Sequence, residues 1–90
     1  MKETLVIHIT VKVQGVYFRQ SAVEKAVELG LTGNVRNMPD GSVEVMATGD
    51  SHQLKNMVQW CHEGPVRARV QTVTIKTVPL QEFSKFGIER

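Results

Sequence analysis

The chain has 90 residues, of which 41% are hydrophobic and 22% charged, and its formal net charge at pH 7 is +2. This length and composition predict one globular domain over residues 1–90. No apolar run approaches the roughly 20 residues that a membrane-spanning helix needs, and the N-terminus is too short and polar for a signal peptide. The single cysteine excludes an internal disulfide. We therefore expect a cytoplasmic protein without a membrane partner.

The weak positive charge bears on which partners are expected. The 11 Lys and Arg residues outnumber the 9 Asp and Glu residues only slightly and are scattered along the chain. This balance favours a small anionic substrate and no nucleic acid. There is no Cys-x-x-Cys pair, and the 3 histidines are far apart in sequence, so the usual zinc and iron–sulfur arrangements are absent. We expect no metal and no other cofactor.

The first half of the chain predicts a strand, a helix and a hairpin. Apolar residues alternate over Leu5–Val13, which is typical of a half-buried strand. Helical spacing follows over Phe18–Gly30 and ends in a glycine cap. A short strand over Val35–Met38 is joined by the turn residues Pro39–Gly41 to a third strand over Ser42–Thr48. The predicted apolar stripe of the helix consists of Ala22, Val23, Ala26, Val27 and Leu29.

The second half predicts a helix and one or two strands. Asp50 and Gln53 have the spacing of a capping box, and Gly64-Pro65 ends the helix that follows. The next strand changes its apolar phase near Gln71 and Thr72, which indicates a β-bulge. Phe86 to Ile88 is a candidate short edge strand.

This order of elements, β-α-β-β-α-β, is typical of an α+β fold, the ferredoxin-like sandwich. We expect a mostly antiparallel sheet with two helices on one face. The fold alone does not indicate a function, because it hosts many unrelated ones.

The segment Val13-Gln14-Gly15-Val16-Tyr17-Phe18-Arg19 joins the first strand to the first helix. A glycine-bearing turn at a helix N-terminus gathers backbone N–H donors beside the positive end of the helix dipole. Arg19 adds a permanently charged planar fork that matches phosphate oxygens. The segment therefore predicts an anion or phosphate cradle. The alternative is an ordinary strand–helix turn.

Three segments together resemble the acylphosphatase family: the cradle Val13–Arg19, the run Leu29–Asn37, and Asp40–Glu44 with Gly49 after it. A later Gly64-Pro65 followed by Ala68-x-Val70 is also similar. The resemblance implies a metal-independent hydrolase that splits the carboxyl–phosphate bond of small acyl phosphates into carboxylate and inorganic phosphate. It also implies a monomer.

The resemblance further implies residue roles. The loop from Gln14 through Gly15, Val16, Tyr17 and Phe18 to Arg19 binds the phosphate, Arg19 is the essential catalytic ligand, and Asn37 is the catalytic residue that positions the attacking water. Tyr17 is a candidate lining of the acyl-group site. Two positions depart from the family pattern: Val11 stands where a glycine is usual, and Asn34 stands where an aromatic residue is usual.

Two other classes of protein remain open. One is a binding module of the same fold that holds an anion or a partner protein with little turnover. The other is an RNA-recognition module, which shares the element order. That module predicts exposed aromatic residues on the central strands, and the segments Leu5–Val13 and Ser42–Thr48 contain none.

Overall fold

The computed structural model describes residues 1–11, 18–65 and 69–89. It contains five strands and two helices. In chain order these are β1 (Lys2–Val11), α1 (Phe18–Glu28), β2 (Thr32–Asn37), β3 (Val43–Asp50), α2 (Ser51–Glu63), β4 (Val70–Val78) and β5 (Phe86–Ile88).

The five strands form one sheet in the order β4-β1-β3-β2-β5. Every neighbouring pair is antiparallel except β2 and β5, which are parallel. Both helices pack on one face of this sheet, α1 against β2 and β5, and α2 against β1, β3 and β4. The expected ferredoxin-like α+β sandwich, with its mostly antiparallel sheet and two helices on one face, is confirmed.

The core lies between the helices and the sheet. Alternate residues of the central strands point into it, among them Ile7, Val45 and Val35, each with 0% of its surface exposed. The helices contribute their apolar stripes to the same cluster. The buried helix residues are Phe18, Ala22 and Ala26 from α1 and Leu54, Met57 and Cys61 from α2.

The predicted apolar stripe of α1 is wrong at one residue, Val27. Val27 is 60% exposed, whereas Ala22 and Ala26 are fully buried. Val27 lies about 100° around the helix from Ala26, so it falls outside the strip that contacts the sheet. The predicted glycine cap is confirmed: the Leu31 N–H donates to the Ala26 carbonyl and the Gly30 N–H to the Val27 carbonyl.

Two predictions about the strands, the bulge in β4 and the start of β2, have different outcomes. β4 has a register shift against β1, with Thr10 opposite Thr72 and Val11 opposite Val70, so Gln71 is the extra residue. This confirms the bulge predicted from the phase change. β2 begins three residues earlier than the predicted Val35, because Thr32-Gly33-Asn34 pairs with β3 although it lacks apolar alternation.

The helices are short. The longer of the two described helices has 13 residues, and within the described ranges neither helix has the length and apolar character needed to cross a membrane.

Candidate active site

The ends of β1 and β2 meet at one edge of the sheet. Both strands are antiparallel to β3, which lies between them, so both run in the same direction. Ile9 of β1 and Asn37 of β2 both pair with Val43 at the start of β3. Adjacent strands are about 4.8 Å apart, so Ile9 and Asn37 lie roughly 10 Å apart across β3. The predicted cradle follows β1 in the sequence.

Asn37 is the last residue of β2 and is exposed. It shares a row with Ile9 and Val43, which are 0% and 1% exposed and face the helices. Strict alternation predicts a polar side chain on the core face, which requires a place at the open end of the sheet. The structure places Asn37 there: it ends β2 and is exposed, whereas Val35, on the same face of the strand, is fully buried.

Arg19 is the second residue of α1 and is half-buried. Since α1 connects the end of β1 to the start of β2, its N-terminus lies at the edge where Asn37 ends β2. The preceding Phe18 is 5% exposed and packs against Trp60 of α2, with ring centroids 5.4 Å apart and ring planes tilted by 54°. This contact ties the first turn of α1, and with it Arg19, to the second helix.

The remaining predicted phosphate-binding residues, Gln14, Gly15, Val16 and Tyr17, lie outside the described residues, as does Val13. The topology places Arg19, at the start of α1, and Asn37, at the end of β2, at the same edge of the sheet.

The turn between β2 and β3 carries a chain of polar side chains that sequence reasoning missed. The Ser42 N–H donates to Asp40 Oδ1 at 2.9 Å, and the Ser42 hydroxyl bonds the same oxygen. Ser42 Oγ also lies 2.7 Å from His8 Nε2 on β1. The hydrogen bonds from Ser42 hold the pKa of the Asp40 carboxyl below its usual 3.8. Aspartate two residues before serine is a local turn signal, whereas the contact with His8 spans 34 residues and has no sequence signature.

Arg36, directly before Asn37, is paired with carboxylates. Its guanidinium lies 3.0 Å from Glu44 Oε1 and 3.6 Å from Glu89 Oε1. Cys61 is fully buried, and this burial raises the pKa of its thiol to about 12.

No group of three His, Cys, Asp or Glu side chains arranged to hold a metal ion occurs within residues 1–11, 18–65 and 69–89. His52 and His62 are exposed on α2.

The two departures from the family pattern lie on opposite faces of the sheet. Val11 is half-buried and packs against the core, on the same side as Ile7 and Ile9. Asn34 is half-buried on the face away from the helices, where it pairs with Met46 of β3 and Gly87 of β5. Val11 therefore fills core space beside the start of the cradle, and Asn34 occupies a place where a larger side chain would cover Met46.

Comparison with known proteins identifies the family of the chain. Residues 5–88 match the sequence profile of the acylphosphatase family. An acylphosphatase of Marinobacter nauticus is 58% identical over 76 residues, which are 83% of this chain and 83% of that protein. An acylphosphatase of Methylococcus capsulatus is 45% identical over 87 residues, covering 93% of this chain and 95% of the other.

Solved structures give the same result. The acylphosphatase from Coxiella burnetii superposes with a TM-score of 0.94 at 35% identity, covering 98% of this chain and 93% of that one. The acylphosphatase from Bacillus subtilis gives a TM-score of 0.93 at 28% identity, with 100% of both chains covered. The chain therefore belongs to the acylphosphatase family of hydrolases, and its reaction is the hydrolysis of acyl phosphates to carboxylate and inorganic phosphate.

Proposed function

We propose that Arg19 and the backbone amides of residues 14–19 hold the phosphoryl group of the substrate, and that Asn37 orients the attacking water. The observation that carries this proposal is the convergence of the ends of β1 and β2, with the first turn of α1, at one edge of the sheet. A phosphate held at the start of α1 receives N–H donors, the helix dipole and the guanidinium together. Asn37 then borders the same space from the other side of β3.

The chemistry suits these residue types. Water forms a new bond to phosphorus, and the bond between phosphorus and the acyl oxygen breaks, leaving its electron pair on the carboxylate. A carboxylate is a good leaving group, so no general acid is needed. Asn37 donates and accepts hydrogen bonds but cannot remove a proton, so the water proton passes to a phosphate oxygen. Catalysis then consists of positioning and of electrostatic stabilisation of the transferring group.

We further propose that residues 1–90 act as one domain and as a cytoplasmic monomer, that the reaction needs no metal, and that neither nucleic acid nor a membrane takes part. The nearly balanced and scattered charge supports the absence of a nucleic-acid partner. The donors named above supply the positive charge that a metal ion contributes in other phosphoryl-transfer enzymes.

The test is hydrolysis of benzoyl phosphate in excess EDTA by the native chain, Arg19→Ala and Asn37→Ala. We expect native turnover that EDTA does not change. Each variant should lose at least ~10²-fold in kcat/KM, because each removes a group that acts on the transition state.

Matched controls come from α2, whose first turns follow Asp50 at the opposite end of β3. Lys55→Ala removes the same charge as Arg19→Ala, and Asn56→Ala removes the same amide as Asn37→Ala. Both should turn over like the native chain. A folded native protein without activity would instead favour the anion-binding module of the same fold, and full activity in Arg19→Ala would refute the phosphate role of Arg19.

A further inference from the structure

A chain of three polar side chains links the middle of β1 to the turn between β2 and β3. His8 Nε2 lies 2.7 Å from Ser42 Oγ, and Ser42 bonds Asp40 Oδ1 through both its hydroxyl and its N–H. Ser42, the middle link, is only 3% exposed, whereas Asp40 at the end of the chain is exposed. None of the three residues is among the predicted catalytic or phosphate-binding residues.

The direction of each hydrogen bond follows from the donors available. The ionised Asp40 carboxylate only accepts, and the Ser42 hydroxyl has a single hydrogen. That hydrogen goes to Asp40, so Ser42 Oγ must accept from His8. The His8 ring therefore carries a proton on Nε2 and acts as the donor that starts the chain.

The two residues opposite His8 on the neighbouring strands bond groups other than its ring. Its cross-strand neighbours are Glu44 on β3 and Thr74 on β4. Glu44 is paired with Arg36, at 3.0 Å, and the Thr74 hydroxyl donates to the backbone carbonyl of His8 rather than to its ring.

The turn that the chain holds is the one that presents Asn37. The Met38 N–H donates to the Ser42 carbonyl at 2.8 Å, and the Gly41 N–H donates to the Met38 carbonyl at 3.0 Å. Asn37 precedes this turn and pairs with Val43, which follows it. A displacement of Ser42 or Asp40 therefore shifts the last pair of the hairpin, to which Asn37 belongs.

We propose that His8 is a positioning residue. Its Nε2–H holds Ser42, and Ser42 in turn holds the turn at Asp40. The Asn37 carboxamide, which precedes this turn, is thereby kept where it can orient the attacking water. This inference rests on the proposed role of Asn37. A misplacement of about 1 Å at a reacting group can cost as much as 10²-fold in rate, so a link outside the site can still affect kcat.

The test compares His8→Gln with His8→Leu in benzoyl phosphate hydrolysis. Gln can place an N–H donor where His8 Nε2 lies, whereas Leu fills similar space without a donor. We expect His8→Leu to lower kcat about tenfold with KM changed less than about twofold, and His8→Gln to restore most of that loss. His62→Leu on the exposed end of α2 is the matched control and should behave like the native chain.

A double variant separates this proposal from the proposed function. In the Asn37→Ala background, His8→Leu should cause no further loss, because the group it positions is gone. Losses that multiply, or equal losses in His8→Gln and His8→Leu, would overturn the positioning role. Native turnover in Asn37→Ala would instead refute the role of Asn37 itself.

Stability is measured in parallel by urea denaturation, so that a loss of folded protein is not counted as a loss of kcat. Where His8→Leu does not fold, Ser42→Ala breaks the same chain at its middle link. It should show the same fall in kcat at constant KM, and a native kcat in folded Ser42→Ala would overturn the proposal.

Discussion

The fold favours the ionised form of the Asp40 carboxyl. Its folded pKa lies below the ordinary 3.8 because Ser42 donates to the carboxylate. An unfolded chain therefore binds the proton more readily than the folded one, so this contribution to stability is complete above about pH 4 and is lost as the pH falls through the folded pKa.

The substitution Asp40→Asn tests this sign. Because the amide does not titrate, the free energy of unfolding should fall less steeply below pH 4 in Asp40→Asn than in the native chain. Urea denaturation at pH 7 and at pH 3 measures the difference. A native chain and a variant with the same pH slope would contradict the account of the Asp40 hydrogen bonds.

At the scale of elements, β2 depends on a close approach to β3 at Gly33. The Gly33 backbone has φ 140°, and a Cβ built there would lie 1.8 Å from the Met46 carbonyl oxygen. Residues with a side chain rarely adopt this backbone conformation. The Met46 oxygen that a Cβ would meet belongs to the backbone, so it cannot move without breaking the pairing of β2 with β3.

We therefore expect Gly33→Ala to destabilise the protein by about 3 kcal/mol or more. Gly41→Ala is the matched control: φ is also positive there, at 91°, but a Cβ would have open space, so only the conformational cost of about 1–2 kcal/mol applies. Urea denaturation of both variants measures the two costs, and equal destabilisation would show that the contact with Met46 is not limiting.

The same strand shows where sequence patterns fail. The alternation of β1 and the phase change at Gln71 were sufficient to predict a strand and a bulge, because both depend on which side chains are buried. The first half of β2 has no such signal, since Gly33 has no side chain and Asn34 is polar on the face away from the helices. Its pairing with β3 depends on backbone contacts, which apolar periodicity does not report.

The predicted buried stripe of α1 was wrong at Val27 for a different reason. Periodicity identifies a helix but not the width of its buried strip, which is set by the sheet beneath it. Ala22 and Ala26 contact the sheet, and Val27, at the next position, is 60% exposed.

At the scale of the molecule, topology makes the candidate site. Residues 19 and 37 are distant in sequence, and their place at the same sheet edge follows from the strand order β1-β3-β2, with both outer strands antiparallel to the middle one and α1 following β1. The family resemblance is the source of the prediction that Arg19 and Asn37 belong to the site, and their roles stay predictions. The contact between His8 and Ser42 was not predictable, because it depends on the register between β1 and β3, which no local pattern reports.

Arg19 is proposed to bind the phosphoryl group and Asn37 to orient the water, and inhibition by inorganic phosphate distinguishes these two roles. Phosphate is the product and should occupy the same cradle as the substrate phosphoryl group. In Asn37→Ala we expect kcat to fall at least ~10²-fold while the inhibition constant for phosphate stays within about twofold of the native value. A residual activity of Arg19→Ala should instead require at least about tenfold more phosphate for half-inhibition, since a charge-assisted hydrogen bond contributes about 1.5–3 kcal/mol. Unchanged phosphate inhibition in Arg19→Ala, or an equal weakening in both variants, would contradict the account.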